Sequence, residues 1–406
     1  DQEGHAKRWR KLRHMSTSAL HTPHIPSRLP DVGTTIFTVM SALATECNAV
    51  NLGQGFPDFE GDPRLPQAVG LAMQAGLNQY PPMAGIASLR AAISDKIAAL
   101  YERRYNPDQE ITITAGATQA ILTAILSLVH PGDEVIVLEP CYDSYVPNIA
   151  LAGGKVVRVP LTPGTFRPDF DKIQSAITAR TRAIIINTPH NPSATVWQDT
   201  EMQRLQAMLD GTDIVVISDE VYEHMVFDEQ MHCSAARYPA LAARSLIVSS
   251  FGKTYHVTGW KVGYVAAPAP LMAEFRKVHQ FNVFTVNTPV QHGLAEFMAD
   301  PRPYLDLPAF YQRKRDFFAS GLSRTRFELL HSQGTYFQCA RYDKLAVPER
   351  ALNEADFCQW LTREVGVAAI PMSAFYGDGF DQGVIRFCFA KRDDTLEHAL
   401  QRLNQL

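Results

Sequence analysis

The chain has 406 residues, of which 46% are hydrophobic and 20% charged, and its 38 basic and 42 acidic side chains give a formal net charge of −4. This composition is typical of a globular protein of two or three domains and excludes a disordered chain, a collagen-like fibre and a coiled coil. The balanced charge gives no general attraction to nucleic acid or to an anionic membrane, and the apolar runs are shorter than the ~20 residues that span a bilayer.

The N-terminal segment differs from the rest of the chain. Residues 1–14 are strongly basic and lack the apolar core of a secretory signal. The following residues are rich in Ser, Thr, His and Pro, so we predict that residues 1–27 form a disordered extension. A targeting or RNA-binding arm is the alternative for the basic part.

From residue 60 to about residue 300, short apolar runs alternate with helical patterns, among them Thr118–His130 and Thr200–Leu209. Several runs are almost continuous in Val and Ile, which indicates a parallel sheet covered on both faces and therefore an α/β fold. The predicted strands are Ile111–Thr114, Glu134–Glu139, Lys155–Pro160, Ala183–Asn187, Ile214–Ser218, Ser245–Ser249 and Val262–Ala266.

After about residue 301 the pattern changes to that of a smaller α+β domain. A charged helix, Ala309–Ser323, precedes predicted strands at Gly334–Arg341 and Gly383–Lys391. In the last strand, alternation places Ile385, Phe387 and Phe389 on one face and Arg386 on the other.

Cysteine and histidine spacing argues against a metal centre. The six cysteines are scattered without a CxxC pair, which fits reduced thiols in a cytoplasmic protein better than disulfides or a zinc site. The histidines show no ligand spacing and no HExxH motif, so we predict no metal.

Polar residues follow the predicted strands at the edge where open parallel sheets bind ligands. Lys253 comes after an apolar strand, and apolar surroundings lower a lysine pKa, as a Schiff-base lysine requires. Asp219 also ends an apolar strand, so it needs a cationic partner. Both needs are met by pyridoxal 5′-phosphate, whose aldehyde would join Lys253 and whose protonated pyridine nitrogen would face Asp219.

Other strand ends supply the remaining contacts to such a cofactor. A helix N-terminus presents free N–H groups to a phosphate, and here it carries Ala117 and Thr118. Tyr142 is placed to stack on the ring, and Asn191 and Tyr222 to bond its phenolic oxygen. Ser250 and Lys261 complete the predicted phosphate site.

The sequence resembles the fold-type-I, class I and II aminotransferases, which depend on pyridoxal phosphate. Within that family it is similar to the bacterial methionine aminotransferases, relatives of the kynurenine and glutamine aminotransferases. The motifs that carry the resemblance are NLGQGFPDF, NQYPPMAG, TAGATQA, EPCYDSY, NTPHNPSATVW, ISDEVYE, SSFGKTYHVTGWKVGY and VIRFCFAK.

The resemblance implies a seven-stranded, mostly parallel sheet in a large cofactor-binding domain, residues 61–300, and a small domain made of residues 28–60 and 301–406. It assigns Lys253, Asp219 and Tyr222 to catalysis and supports the cofactor contacts given above. For the substrate carboxylate it implies Arg386, with Asn191 and the Gly55 backbone.

The resemblance also implies a homodimer with shared active sites. Tyr80 would reach the phosphate of the neighbouring subunit. Phe37 and, from the other subunit, Phe284 would line the side-chain pocket. Each residue also has a structural alternative: Phe37, Phe284 and Tyr142 could be core residues, and Tyr80 could be a surface tyrosine. Asp219 could be a helix N-cap.

The expected reaction is ping-pong transfer of the amino group from methionine and other apolar or aromatic amino acids to a 2-oxo acid. The predicted pocket offers no second cation for a distal carboxylate, which disfavours dicarboxylic donors; methionine itself is selected by the resemblance. Kynurenine or glutamine transamination, a cysteine-conjugate β-lyase on the same scaffold and a non-enzymatic regulatory module are the alternatives.

Overall fold

A computed structural model describes residues 21–406. Residues 21–32 belong to a separate unit and contain no helix or strand in their described part. Of the predicted disordered extension, residues 1–27, the first 20 residues lie outside the described part of the chain. The predicted division into a large domain, residues 61–300, and a small domain, residues 28–60 and 301–406, stays a prediction.

The strands of the described chain are numbered in chain order. They are β1 Val50–Asn51, β2 Ile111–Thr114, β3 Glu134–Glu139, β4 Lys155–Pro160, β5 Thr181–Asn187, β6 Val215–Asp219, β7 Ser245–Ser250, β8 Gly263–Ala266, β9 Glu328–Leu329, β10 Phe337–Arg341, β11 Val367–Ala368, β12 Ile370–Pro371 and β13 Val384–Cys388.

The α-helices of the described chain are numbered in the same way. They are α1 Ile36–Glu46, α2 Arg64–Gln74, α3 Ala87–Tyr101, α4 Gly116–Leu128, α5 Tyr145–Leu151, α6 Phe170–Ala176, α7 Asp199–Leu209, α8 Pro239–Ala242, α9 Phe251–Thr254, α10 Ala269–Asn282, α11 Thr288–Phe297, α12 Arg302–Leu305, α13 Leu307–Leu322, α14 Glu354–Trp360 and α15 Asp393–Leu403. No helix within residues 21–406 has the length and apolar character to cross a membrane.

The main sheet of the described residues has seven strands in the order β2-β8-β7-β6-β5-β3-β4. Strand β8 is antiparallel to both neighbours, whereas β3 to β7 are mutually parallel, so the prediction of a mostly parallel seven-stranded sheet is confirmed. In the register of β5 and β6, Asn187 pairs with Asp219, which brings their side chains to the same carboxyl edge.

Both faces of the main sheet are covered by apolar side chains. Along β3, Val135 and Val137 pack into one hydrophobic cluster, and Ile136 and Leu138 pack into the other. Successive side chains of a strand point to opposite faces, so the continuous Val and Ile runs reflect burial on two sides.

The C-terminal region adds a four-stranded antiparallel sheet, in the order β12-β13-β10-β9 within the described chain, and β1 pairs in parallel with β11. Its strands are shorter than predicted. The predicted strand Gly334–Arg341 begins at Phe337, since Thr335 has a positive φ of 69°. The predicted strand Gly383–Lys391 is limited to Val384–Cys388.

Helix α4 also differs slightly from its predicted range, Thr118–His130. It begins at Gly116 and ends at Leu128, where Val129 takes an extended conformation. His130 precedes Pro131, and a residue before proline disfavours the helical region. The earlier start adds Gly116 and Ala117 to the first turn, facing the cavity described next.

Candidate active site

A cavity of about 340 Å³ lies at the carboxyl edge of the main sheet, within the size range of small-molecule sites. All the predicted site residues except Tyr80 and Phe284 line it. They are Phe37, Gly55, Ala117, Thr118, Tyr142, Asn191, Asp219, Tyr222, Ser250, Lys253, Lys261 and Arg386.

Lys253 lies in α9, the short helix that follows β7, and its amine points into this cavity. Its Nζ lies 3.2 Å from the Gly55 carbonyl oxygen and 3.1 Å from the Tyr336 hydroxyl. Burial disfavours the charged amine and lowers the pKa of Lys253 to about 8. About one-tenth of this amine is therefore neutral, and so nucleophilic and basic, at pH 7.

Asp219 is the last residue of β6 and is only 4% exposed. Its carboxylate accepts a 2.5 Å hydrogen bond from the Tyr145 hydroxyl and a 3.3 Å bond from the Val221 N–H. Burial nevertheless raises the pKa of Asp219 to about 6. Residues 221–224, which follow this strand, form a turn and not a helix, so the Asp219 carboxylate is not a helix N-cap.

Arg386 is held in the cavity wall by β13 and is almost fully buried. Its Nη1 donates to the Asn191 side-chain oxygen at 2.6 Å, and Nη2 donates to the Gly53 carbonyl at 3.2 Å. The guanidinium carbon lies 3.9 Å from the centre of the Phe337 ring. Its Nε is buried without a partner among the described residues, and burial lowers the pKa of Arg386, so the group would gain from an anionic ligand.

The N-terminus of α4 lies at another side of the cavity, with Lys261 next to it. No described side chain caps this terminus. Gly116 has a φ of +78°, and a methyl group built on it would lie 3.0 Å from the Lys261 Nζ. N–H groups of a helix terminus, the helix dipole and a neighbouring lysine all favour an anionic ligand such as a phosphate.

Aromatic residues form much of the remaining wall. Tyr142 contacts the ring of Tyr145 edge to face, with centroids 5.9 Å apart. Tyr222 makes similar contacts with Tyr336 and Phe337, at 5.2 and 5.8 Å. Burial raises the pKa of Tyr222 well above its usual range, so its hydroxyl keeps its proton and can donate a hydrogen bond.

Tyr80 and Phe284 lie outside this cavity and contact each other. Their ring centroids are 5.2 Å apart, and the two side chains are 81% and 40% exposed. Within the described chain neither residue reaches Lys253. Their predicted roles, which require a neighbouring subunit, therefore stay predictions.

Sequence reasoning missed some residues that the fold brings to the site. Asn187 is polar, ends β5 and donates to the Asp219 carbonyl at 2.9 Å, so the rule for strand ends could have found it. Tyr145 and Tyr336 gave no such signal. Tyr145 lies 74 positions from Asp219, and Tyr336 lies 83 positions from Lys253, so only the tertiary structure joins these pairs.

Comparison with known proteins gives consistent matches over nearly the whole chain. The family model for aminotransferase class I and II matches residues 48–403. The chain is 51% identical over 388 residues to the methionine aminotransferase of Escherichia coli K12, covering 95% of this chain and 100% of that protein. It is 42% identical over 392 residues to the probable N-succinyldiaminopimelate aminotransferase DapC of Mycobacterium tuberculosis, covering 94% and 98%.

Solved structures show the same likeness. The crystal structure of YbdL from Escherichia coli, which identified a methionine aminotransferase function, matches with a TM-score of 0.92 and 52% identity. This match covers 95% of the present chain and 100% of that one.

Proposed function

The chain belongs to the class I and II aminotransferases, and from this we propose that it moves the amino group of methionine, and of other apolar or aromatic amino acids, to a 2-oxo acid with pyridoxal 5′-phosphate as cofactor. The observation that carries the proposal is a single cavity that gathers Lys253, Asp219, Arg386 and the N-terminus of α4. The methionine preference follows the similarity to the Escherichia coli enzyme.

The cavity residues fit the proposed cofactor. When bound, it supplies an aldehyde that captures amines and a pyridinium ring that accepts electrons. Lys253 would bind its aldehyde, and Asp219 would face its ring nitrogen. A positive charge on that nitrogen would offset the cost of burying the Asp219 carboxylate, which otherwise raises its pKa. Tyr145 holds the Asp219 carboxylate in place through its 2.5 Å hydrogen bond.

Further residues would hold the other parts of the cofactor. The N–H groups of Ala117 and Thr118, together with Ser250 and Lys261, would bind the phosphate. Tyr142 would stack on the ring, while Asn191 and Tyr222 would hydrogen-bond its phenolic oxygen. All of these residues line the cavity.

Lys253 would also move the substrate proton. A pKa of about 8 lies close to physiological pH, so the amine can both accept and return a proton, which suits a general base for the substrate Cα–H bond. Arg386 would bind the substrate α-carboxylate, since a guanidinium can bind both oxygens and its Nε has no partner in the described chain.

The cavity lining favours an apolar substrate side chain. Phe37, Phe56 and Phe337 line it. Its cations among the described residues are Lys253, Lys261 and Arg386, and each has a proposed role, which leaves none for a distal carboxylate. One methylene in an apolar pocket discriminates by only ~1–3 kcal/mol, so several apolar and aromatic donors should react.

We infer that the active enzyme is a homodimer with shared active sites. Tyr80 is 81% exposed and packs on Phe284, so both rings are available to a second copy of the chain. In such a dimer Tyr80 would contact the partner's phosphate site, and Phe284 would border its side-chain pocket.

A panel of amino donors with one fixed 2-oxo acid tests the substrate proposal. Methionine should give a higher kcat/KM than aspartate, with phenylalanine and leucine also active, because the lining offers apolar contact and no spare cation. A preference for aspartate would contradict the proposal. Kynurenine and glutamine belong in the panel as the alternative donors.

A cysteine S-conjugate distinguishes a lyase from an aminotransferase. Incubated without any 2-oxo acid, it should give little pyruvate and ammonia if amino transfer is the main reaction. Rapid release of both products under these conditions would favour the β-lyase.

A further inference from the structure

Tyr336 joins the amine of Lys253 to the backbone of the NLGQGF segment. The Tyr336 hydroxyl donates a hydrogen bond to the Gly55 carbonyl. The Lys253 Nζ lies 3.1 Å from this hydroxyl and 3.2 Å from the same carbonyl, so the three polar groups contact one another pairwise. Tyr336 is fully buried.

The hydroxyl is fixed in place by its surroundings. Tyr336 follows Thr335, which has a positive φ of 69°, and both residues lie in the turn that precedes β10. Its ring contacts Tyr222, Phe337 and Tyr311, with centroid distances of 5.2, 5.1 and 5.6 Å. A ring packed on these sides keeps its hydroxyl in one position.

The direction of the hydrogen bonds follows from the number of protons. Tyr336 has one hydroxyl proton, which it donates to the Gly55 carbonyl. In its hydrogen bond with Lys253 the Tyr336 oxygen is therefore the acceptor. A neutral amine has two N–H bonds and one lone pair. With one N–H directed to Gly55 and the other to Tyr336, the lone pair remains free to take up a proton.

We propose that Tyr336 is a positioning residue that, together with the Gly55 carbonyl, orients the neutral Lys253 amine for proton transfer at the substrate Cα. The inference rests on the proposed function and extends it to a residue that acts through the Lys253 amine, by a hydrogen bond to it, and not through contact with substrate. Proton transfer depends steeply on orientation, and a misplacement of about 1 Å can reduce a rate on the order of 100-fold.

The chain offers a matched control in Tyr311. Its hydroxyl is also buried, but it has no hydrogen-bond partner among the described residues, and its ring packs against that of Tyr336. Tyr311→Phe and Tyr336→Phe each delete one buried hydroxyl from the same aromatic cluster. Only the second deletion removes a contact with Lys253.

Steady-state kinetics of the holoenzyme form the first part of the test. Tyr336→Phe should lower kcat about 10-fold to 100-fold while KM for methionine changes little, because the substrate contacts are retained. Tyr311→Phe should behave as wild type. An equal effect of the two substitutions, or a loss confined to KM, would overturn the inference.

The second part measures the Lys253 amine itself in the cofactor-free chain. Competitive labelling with trace acetic anhydride, followed by peptide mass spectrometry across a pH series, reports the apparent pKa of that amine. An acceptor oxygen favours the protonated amine, so Tyr336→Phe should move this pKa below the wild-type value of about 8. The other charged and titratable groups that act on the amine, which stay the same in both variants, are Cys388, Arg386, Lys261 and Asp219.

The combined results separate this inference from the proposed function. If wild type transaminates but the labelling of Lys253 is the same in Tyr336→Phe and Tyr311→Phe, the positioning role is wrong and the aminotransferase assignment stands. If wild type itself shows no amino transfer with any donor, the proposed function is wrong, and the positioning role that rests on it is wrong as well.

Discussion

Replacing Asp219 with Asn should change how the stability of the cofactor-free chain depends on pH. Burial raises the Asp219 pKa from 3.8 to about 6, so the folded chain holds a proton that the unfolded chain has already released between these values. Stability therefore falls as pH rises through this window. A shift of about two units corresponds to about 3 kcal/mol in full, of which about half is lost between pH 5 and pH 8.

Urea unfolding of cofactor-free wild type and Asp219→Asn at pH 5, 6, 7 and 8 measures this effect. The free energy of unfolding of wild type should drop relative to the variant by about 1–2 kcal/mol across the series. Loss of an acceptor for Tyr145 or Val221 in the variant adds a cost that is independent of pH, so it does not alter the slope. Parallel curves for the two proteins would refute the claim that burial raises the pKa of Asp219 in spite of its two hydrogen bonds. Bound pyridoxal phosphate should flatten the wild-type curve, because a cation beside Asp219 lowers its pKa.

Two further substitutions test the ligand contacts. Arg386→Lys keeps the positive charge but loses one of the two hydrogen bonds that a guanidinium can donate to a carboxylate. Such a bond contributes about 1.5–3 kcal/mol, so kcat/KM for methionine should fall about 10-fold to 100-fold. The amine 3-(methylthio)propylamine, which has no carboxylate, should react equally poorly with wild type and variant. If the substitution lowers kcat/KM by the same factor for both donors, Arg386 does not bind the substrate carboxylate. Gly116→Ala forces an alanine into a φ of +78° and sets its methyl 3.0 Å from the Lys261 amine. It should raise the pyridoxal phosphate concentration needed for half-saturation about tenfold, measured by absorbance titration, and an unchanged value would argue against a phosphate at this helix terminus.

The strand ends could be predicted from the sequence because they combine two strong local signals. A strand that is buried on both faces is nearly continuous in Val and Ile, and the polar residue that follows it lies at the carboxyl edge of the sheet. Asp219 and Lys253 were found in this way, and the structure brings both to one cavity. The family resemblance added Arg386, whose alternating strand alone indicated only that it faces away from Ile385 and Phe387.

Contacts between distant segments could not be predicted in this way. Tyr145 supports Asp219 and Tyr336 contacts Lys253 only because the chain folds back over tens of residues, and neither tyrosine stands out by spacing. The predicted strand starting at Gly334 was too long because a positive φ at Thr335, which alternation of side chains does not reveal, delays its start to Phe337. The roles of Tyr80 and Phe284 depend on a second subunit and stay predictions.

Identifying the residue that captures pyridoxal phosphate tests the role of Lys253 most directly. The protein is incubated with the cofactor, reduced with borohydride and digested, and its peptides are analysed by mass spectrometry. We expect one phosphopyridoxyl group per chain, on Lys253, and none on that peptide in Lys253→Ala, which should keep its fold but lose amino transfer. Stable modification at Lys261 or another lysine in place of Lys253, or full turnover by Lys253→Ala, would contradict this role.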